Sequence, residues 1–293
     1  MMGHNVEHVT RAGAGAAIDA LMSWEAPGCY PTGLHAGDVG WQLRMDDDVV
    51  DRSLIVVRDG ADVVAVAILD EPSLLRPAVR PDRVHDLHLA SVLADLADDT
   101  VAAAPSSSSE APGGSALRTV LSSRGWTVDT DAWTVLYRPL TAADAADGDP
   151  LSRPLADDGD IADRVEVQRS AFDGSTFTVQ RWHQMAAGPG YDPALDLLRR
   201  ADDGTPVAAA TGWSAGPGRC GILEPVAAHP DSAGHGHGRA VSRAVIAALA
   251  RAGASGVAVH TPVSNTGAVR AYEACGLRQV ELTTDLVRGV TSG

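Results

Sequence analysis

The stretch His229-Pro-Asp-Ser-Ala-Gly-His-Gly-His-Gly-Arg-Ala240 decides how this chain is read. Gly234, Gly236 and Gly238 stand at alternate positions between two regular patterns. Upstream, Gly221-Ile-Leu-Glu-Pro-Val-Ala-Ala228 reads as an apolar strand. Downstream, Arg239 to Arg251 places Ala240, Val241, Ala244, Val245, Ala248 and Leu249 at helical spacing. A strand, a glycine turn and a helix start make an anion cradle. Glycine permits close backbone approach and positive φ, and free N–H groups converge there with the positive end of the helix dipole. The implied ligand carries phosphate or pyrophosphate. A nucleoside-triphosphate P-loop is excluded, because no Gly-Lys-Ser/Thr ending follows and the chain has no lysine. The spacing also differs from Gly-x-Gly-x-x-Gly and lies late in the chain, against a first-strand dinucleotide turn.

Three blocks in order carry a resemblance: Glu224-Pro-Val-Ala-Ala-His-Pro-Asp231, Gly236-His-Gly-Arg-Ala240, and Asn265-Thr-Gly-Ala-Val-Arg-Ala-Tyr-Glu-Ala-Cys-Gly276. Together they resemble the GNAT superfamily of acyl-CoA-dependent N-acetyltransferases over roughly residues 152–288. That family's loop runs Gln/Arg-x-x-Gly-x-Gly/Ala. Here Ala233-Gly-His-Gly-His-Gly238 keeps both glycines but has Ala233 in the leading place. Leu277 replaces the aromatic that closes the later block. The resemblance implies an α/β (α+β) fold: a mixed, mostly antiparallel sheet flanked by helices and splayed at an acyl-CoA slot.

Composition narrows the class. At 293 residues the chain exceeds one typical domain, and 45% hydrophobic residues suffice for real cores. No apolar run reaches membrane-spanning length, and the first twenty residues lack the pattern of a secretion signal. Cys29, Cys220 and Cys275 form no metal or redox spacing and suit a reducing cytoplasm. A net charge of −15 opposes binding to nucleic acid or anionic membranes. Arginine as the sole strong cation fits a GC-rich bacterial coding bias.

The chain also repeats itself. Leu54 to Leu69 reads as a hairpin around Asp59-Gly60, and Leu195 to Ala210 as another around Asp203-Gly204. Val79-Arg-Pro-Asp82 parallels Ala228-His-Pro-Asp231, and Ala116 to Trp126 parallels Ala268 to Leu277. The offsets are 144 (60 to 204), 149 (82 to 231) and 151 (125 to 276). Two tandem copies are therefore expected: a degenerate GNAT-like domain over 1–140, a linker over 141–150, and a catalytic domain over 151–293. In the first copy the chain passes from Pro81-Asp82 into helix with no glycine before Gly113, so it lacks the cradle. Val120 stands where the second copy has Tyr272. Ala102 to Gly114, rich in Ser, Pro and Gly, reads as a mobile solvated loop.

Roles in the second copy follow from the resemblance. Glu224, a carboxylate in an apolar strand, is expected to be partly desolvated and to serve as general base; an edge glutamate pointing to solvent is the alternative. Tyr272 is expected to protonate the leaving thiolate, with packing of a short helix as its structural alternative. Asn265 caps that helix, contacts the pantetheine arm, or does both. Val226, Ala227 and Ala228 are expected to hold pantetheine through main-chain bonds where Pro225 parts the strands. Ala233, Gly234, His235, Gly236, His237, Gly238 and Arg239 are expected to meet the pyrophosphate. His229, His235 and His237 lack a convincing set of further ligands, so no metal is expected. Arg169 to Tyr191 should form the first two helices and their loop, with Phe172, Asp173, Trp182 and Tyr191 as acceptor-side candidates or, for the aromatics, core.

The sequence thus predicts a cytoplasmic acetyltransferase, monomeric or homodimeric. It would pass an acetyl group from acetyl-CoA to a primary amine of a small molecule such as an amino sugar or antibiotic-type amine. A peptide N-terminus as acceptor, or an acyl-CoA sensor without turnover, are the competing expectations.

Overall fold

The computed structural model describes residues 3–70, 73–101 and 106–289. The first half runs β1 (Asn5–His8), α1 (Ala14–Trp24), α2 (Ala36–Gln42), α3 (Asp47–Ser53), β2 (Leu54–Asp59), β3 (Asp62–Asp70), β4 (Leu74–Val79), α4 (Leu87–Val101), β5 (Ser106–Ser109), α5 (Ala116–Ser123) and β6 (Thr127–Pro139). The second runs β7 (Ser152–Pro154), α6 (Asp158–Ala171), α7 (Val179–Ala186), β8 (Asp196–Arg200), β9 (Pro206–Trp213), β10 (Cys220–Ala228), α8 (His237–Arg251), β11 (Gly256–Pro262), α9 (Thr266–Glu273) and β12 (Arg278–Gly289). Gly60 (φ 63°) and Gly204 (φ 89°) turn the β2–β3 and β8–β9 hairpins, positions that a Cβ would strain.

All twelve strands form one mostly antiparallel sheet in the order β1-β2-β3-β4-β5-β12-β6-β11-β10-β9-β8-β7. The order is symmetric about its centre, as two copies facing each other require. The last strands are exchanged: β12 pairs with β5 of the first half, and β6 pairs with β11 of the second along Trp133–Pro139. Between them β6 and β12 pair with each other. The α/β architecture expected from sequence is present, with its two sheets joined into one.

Helices cover both faces, so central strands such as β3 and β9 are apolar without alternation. On one face α1, α2 and α3 bury Ile18, Leu21 and Leu43 against Leu54, Val56 and Ile68. On the same face α6 and α7 bury Ile161, Val165 and Met185 against Trp213 and Ile222. On the other face α4 and α5 cover the first half, and α8 and α9 the second. Helix α2 crosses between the halves. Its glycines lie on the Trp213 ring, and a Cβ at Gly40 would come 2.4 Å from Trp213 Cζ3.

Three expectations need correction. Ser106–Ser109 is not solvated loop but strand β5, with Ser107 and Ser109 buried between β4 and β12; residues 102–105 lie outside the described residues. Small side chains suit that crowded central position. The first helix of the second half begins at Asp158, with the Asp157 carboxylate capping it through the Asp160 N–H, well before Arg169. Finally, Trp126 N–H donates to Leu121 O as Leu277 N–H donates to Tyr272 O, so the residue matching Tyr272 is Leu121 and not Val120.

Strand exchange makes each half depend on the other's last strand. A chain cut to residues 151–293 loses β6 and exposes the edges of β11 and β12. It is expected to aggregate or self-associate on size exclusion, with reduced ellipticity, where the full chain is folded; a monomeric, fully folded fragment would contradict the topology.

Candidate functional site

The site begins where β10 leaves β11. The two run parallel only from Cys220–Ile222 against Gly256–Ala258. Past Ile222, β10 keeps its partner β9 as far as Ala228 but has none on the β11 side, and a register shift falls between Leu223 and Val226. A wedge opens between the strands.

The glycine stretch lies at one mouth of this wedge. A short turn at Pro230–Ser232 leads to Gly234 (φ 80°) and Gly236 (φ 78°), and α8 starts at His237. Among the described residues, none of the six N–H groups from Gly234 through Arg239 has a hydrogen-bond partner. Ala233 is the exception to the sequence reading, since its N–H donates to Pro230 O at 3.0 Å. The cradle therefore starts one residue later than expected. Arg199 Nε donates to His237 Nδ1 (3.2 Å), and the neighbouring Arg199 and His235 add to burial in lowering the His237 pKa. The His235 ring folds back on Ser232 O and Ala233 O. Among the described residues no group of three or more His, Cys, Asp or Glu is placed to hold a metal ion.

The matching place in the first copy is already filled. Asp86 Oδ1 accepts from His88 N–H (2.9 Å) and Leu89 N–H (3.1 Å) at the start of α4. A carboxylate of the chain sits where a phosphate would sit, neutralising the same dipole end.

Glu224 and Tyr272 flank the wedge. Glu224 follows Ile222 on the face covered by α6, α7 and α2, while Tyr272 projects from α9 in the core on the other side. Asn265 Oδ1 caps α9 by accepting from Ala268 N–H (3.2 Å), which leaves its NH2 free. No protein group among the described residues hydrogen-bonds the buried Tyr272 hydroxyl. Burial, reinforced by Glu224, pushes its pKa upward. Glu224 is half-buried, and desolvation, with Asp38 and Asp70 beside it, outweighs the opposing Arg76 and Arg44 to bring it up to about 7. That is a useful value for a base working near neutrality.

Residues 167–277 match the acetyltransferase (GNAT) family. The second half of the chain therefore carries a GNAT acetyltransferase domain. Solved structures share the fold over nearly the whole chain. A GCN5-related N-acetyltransferase from Sphaerobacter thermophilus is 21% identical, with a TM-score of 0.61 over 99% of this chain and 96% of that one. A tandem GNAT protein from the clavulanic acid biosynthesis pathway is 15% identical, with a TM-score of 0.61 over 99% of both chains. A GNAT-family acetyltransferase from Colwellia psychrerythraea is 10% identical, with a TM-score of 0.59 over 97% and 99%. No curated protein matches. No helix among the described residues is long and apolar enough to cross a membrane.

Sequence reasoning missed what the first half of the chain brings to Glu224. Leu74-Leu-Arg-Pro77 and Ile222-Leu-Glu-Pro225 occupy matching places, with Leu75 and Leu223 in the cores of one face. Arg76 is therefore the counterpart of Glu224, and its charge acts on it. Arg76 holds the buried Asp38 (2.8 Å), Glu110 (2.7 Å) and Asp70 (3.4 Å). Arg44 stacks on Trp41 at 4.3 Å, and burial lowers its pKa to about 10. Extending the repeat back from Pro81-Asp82 and Pro230-Asp231 to Arg76-Pro77 and Glu224-Pro225 would have exposed the match.

The four acceptor-side candidates divide. Phe172 is exposed, and so is Asp173 beside it in the α6–α7 loop. Trp182 Nε1 (2.9 Å) and Tyr191 Oη (3.2 Å) instead both donate to Asp196 Oδ2, whose other oxygen meets Arg164 and Thr211. Asp196 is fully buried, so these two rings close a core network.

Arg76→Met removes the cation from a buried carboxylate. It is expected to cost about 3 kcal/mol in chemical denaturation, and to move the Glu224-dependent limb of the rate–pH profile upward by roughly 1 pH unit. An unmoved limb would separate Arg76 from Glu224.

Proposed function

We propose that residues 151–293 acetylate a primary amine of a small molecule at the expense of acetyl-CoA, while residues 1–140, joined through 141–150, shape the site without turning over substrate. The observation that carries this reading is the row of six unpartnered N–H groups from Gly234 to Arg239 beside an open strand edge. Such a row offers a pyrophosphate several hydrogen bonds and the positive end of α8, with Arg239 adding charge. The open edge of β10 at Val226, Ala227 and Ala228, with the Asn265 NH2, would take the pantetheine arm as an added strand.

Direct attack follows from the two flanking groups. The Glu224 carboxylate accepts the proton that the amine loses as its nitrogen bonds to the acyl carbon. The C–S bond breaks, and the departing sulfur takes a proton through the Tyr272 hydroxyl. Because burial holds the phenol's pKa above a thiol's, Tyr272 acts mainly as a hydrogen-bond donor to the developing thiolate, with solvent restoring the balance. The Glu224 carboxylate, with Asp38 and Asp70 near it, suits an amine better than an anionic acceptor. Phe172 and Asp173, exposed in the α6–α7 loop, are its outer contacts. We place the reaction in a reducing cytoplasm, in a monomer or homodimer, in keeping with three free cysteines.

The test is free-thiol release from acetyl-CoA against panels of simple amines, amino sugars, aminoglycosides and peptides. With an accepted amine, the rate is expected to rise with pH through about 7, as Glu224 loses its proton. Glu224→Gln should remove that limb and lower kcat by roughly 10²–10⁴. Tyr272→Phe should lower kcat with acetyl-CoA affinity kept. Gly236→Val, forced to hold φ 78°, should instead weaken acetyl-CoA binding about ten-fold or more. Tight binding with no thiol released from any amine would reduce the protein to a sensor.

A further inference from the structure

Ile222 and Ala258 are the last residues that β10 and β11 pair before they part. Both lie in the core beneath α6 and α7. Side chains along a strand return to the same face at every second residue. Glu224 on β10 and His260 on β11 therefore rise from that face, one on each rim of the wedge. β11 runs near the middle of the twelve-stranded sheet, and its other residues from Gly256 to Thr261 are buried. His260 alone among them is exposed.

Protein nonetheless surrounds the ring on its remaining sides. Asp38 on α2, Glu110 just after β5, Arg76 on β4 and Glu281 on β12 all act on it. Open area on one side and charged groups on the others describe a side chain lining a cleft. Lost hydration, helped by Arg76, outweighs the three carboxylates and lowers the His260 pKa from its ordinary value. The ring is thus neutral at pH 7 and keeps a lone pair. Among the described residues, neither the His260 ring nor the Glu224 carboxylate has a hydrogen-bond partner. Two unspent acceptors stand on the two rims of one opening.

We propose that His260 determines specificity in the acyl transfer: with Glu224 it holds the two N–H bonds of a primary amine, and a secondary amine loses one of these anchors. The assignment rests on the acetyl-transfer reading and adds to it. Two acceptors each about 2.9 Å from one nitrogen stand roughly 5 Å apart, close to the ~4.8 Å between neighbouring strands. Side chains on the two rims can therefore span it. Held at both N–H bonds, the nitrogen turns its lone pair into the wedge, toward the acyl carbon of a thioester laid along β10. As the N–C bond forms, the Glu224 carboxylate takes one proton and the C–S bond breaks. The proton on the His260 side stays as the amide N–H, and the sulfur leaves with a proton on the Tyr272 side. An N-methyl amine sets its methyl against one of the two acceptors and forfeits the hydrogen bond there.

The test follows thiol release from acetyl-CoA with primary amines and their N-methyl forms: ethanolamine and N-methylethanolamine, benzylamine and N-methylbenzylamine, glucosamine and its N-methyl derivative. The unaltered chain is expected to favour the primary member of an accepted pair by about a hundred-fold or more in kcat/KM. His260→Leu, which keeps bulk and removes the lone pair, should lower kcat/KM for the primary amine at least ten-fold and shrink the preference by a similar factor. His260→Gln, whose side-chain oxygen still accepts, should keep most of both. Because His260 is exposed, both variants should unfold at the temperature of the unaltered chain and bind acetyl-CoA as tightly. An undiminished preference in His260→Leu overturns the proposal and leaves acetyl transfer standing. So does an equal loss in His260→Gln and His260→Leu, or an unaltered chain that treats both members of a pair alike. No thiol release from the unaltered chain with any primary amine overturns the acetyl-transfer reading, and this assignment with it.

Discussion

The exchange of β6 and β12 is the constraint on which the rest of the molecule depends. Placing each half's last strand beside the other half's penultimate one fuses two sheets into a single twelve-stranded surface. It also fixes which helices share a face. Helix α2 is brought over Trp213, two glycines allow the close approach, and Trp213 Nε1 in turn donates to Glu224 O at 2.7 Å. The position of the candidate base is therefore set from both halves, through ring packing and one main-chain hydrogen bond.

That arrangement accounts for the electrostatics of Glu224. Its own strand is apolar, and desolvation alone would raise its pKa further than is useful. The opposing charges come from Arg44, at the end of α2, and from Arg76, on β4. Arg76 occupies the place that Glu224 holds in the other copy. There the side chain is a fixed cation, held by three carboxylates, on the opposite side of a pseudo-twofold axis.

Much of this was legible in the sequence. The hairpins at Gly60 and Gly204, the strand before Pro225 and the helix after Gly238 follow from glycine spacing and apolar period, which are local signals. The unpartnered amides followed from the same glycines, apart from Ala233. What was not legible was non-local. Ser106–Ser109 has the composition of a loop and becomes a strand because two neighbours pair with it, an override of propensity by tertiary context. Trp182 and Tyr191 are ordinary aromatic candidates until Asp196, fourteen and five positions away, claims both polar ends. The one-residue slip between Val120 and Leu121 arose from aligning a short helix by its apolar pattern instead of by its closing hydrogen bond. The role of α2 could not be read at all, because nothing in Ala36-Gly-Asp-Val-Gly-Trp-Gln42 says which strand those glycines will face.

The Asp86 carboxylate separates the two halves in a further way. Helix α4 carries its counter-charge as a built-in part, so its first turn is complete whether or not any solute is present. Helix α8 has no such residue, and its opening turn keeps an uncompensated partial charge until an anion arrives. Occupancy of the cradle must then be coupled to the rigidity of α8 alone. One chain thus holds a helix start closed by its own carboxylate and another left open to an anion.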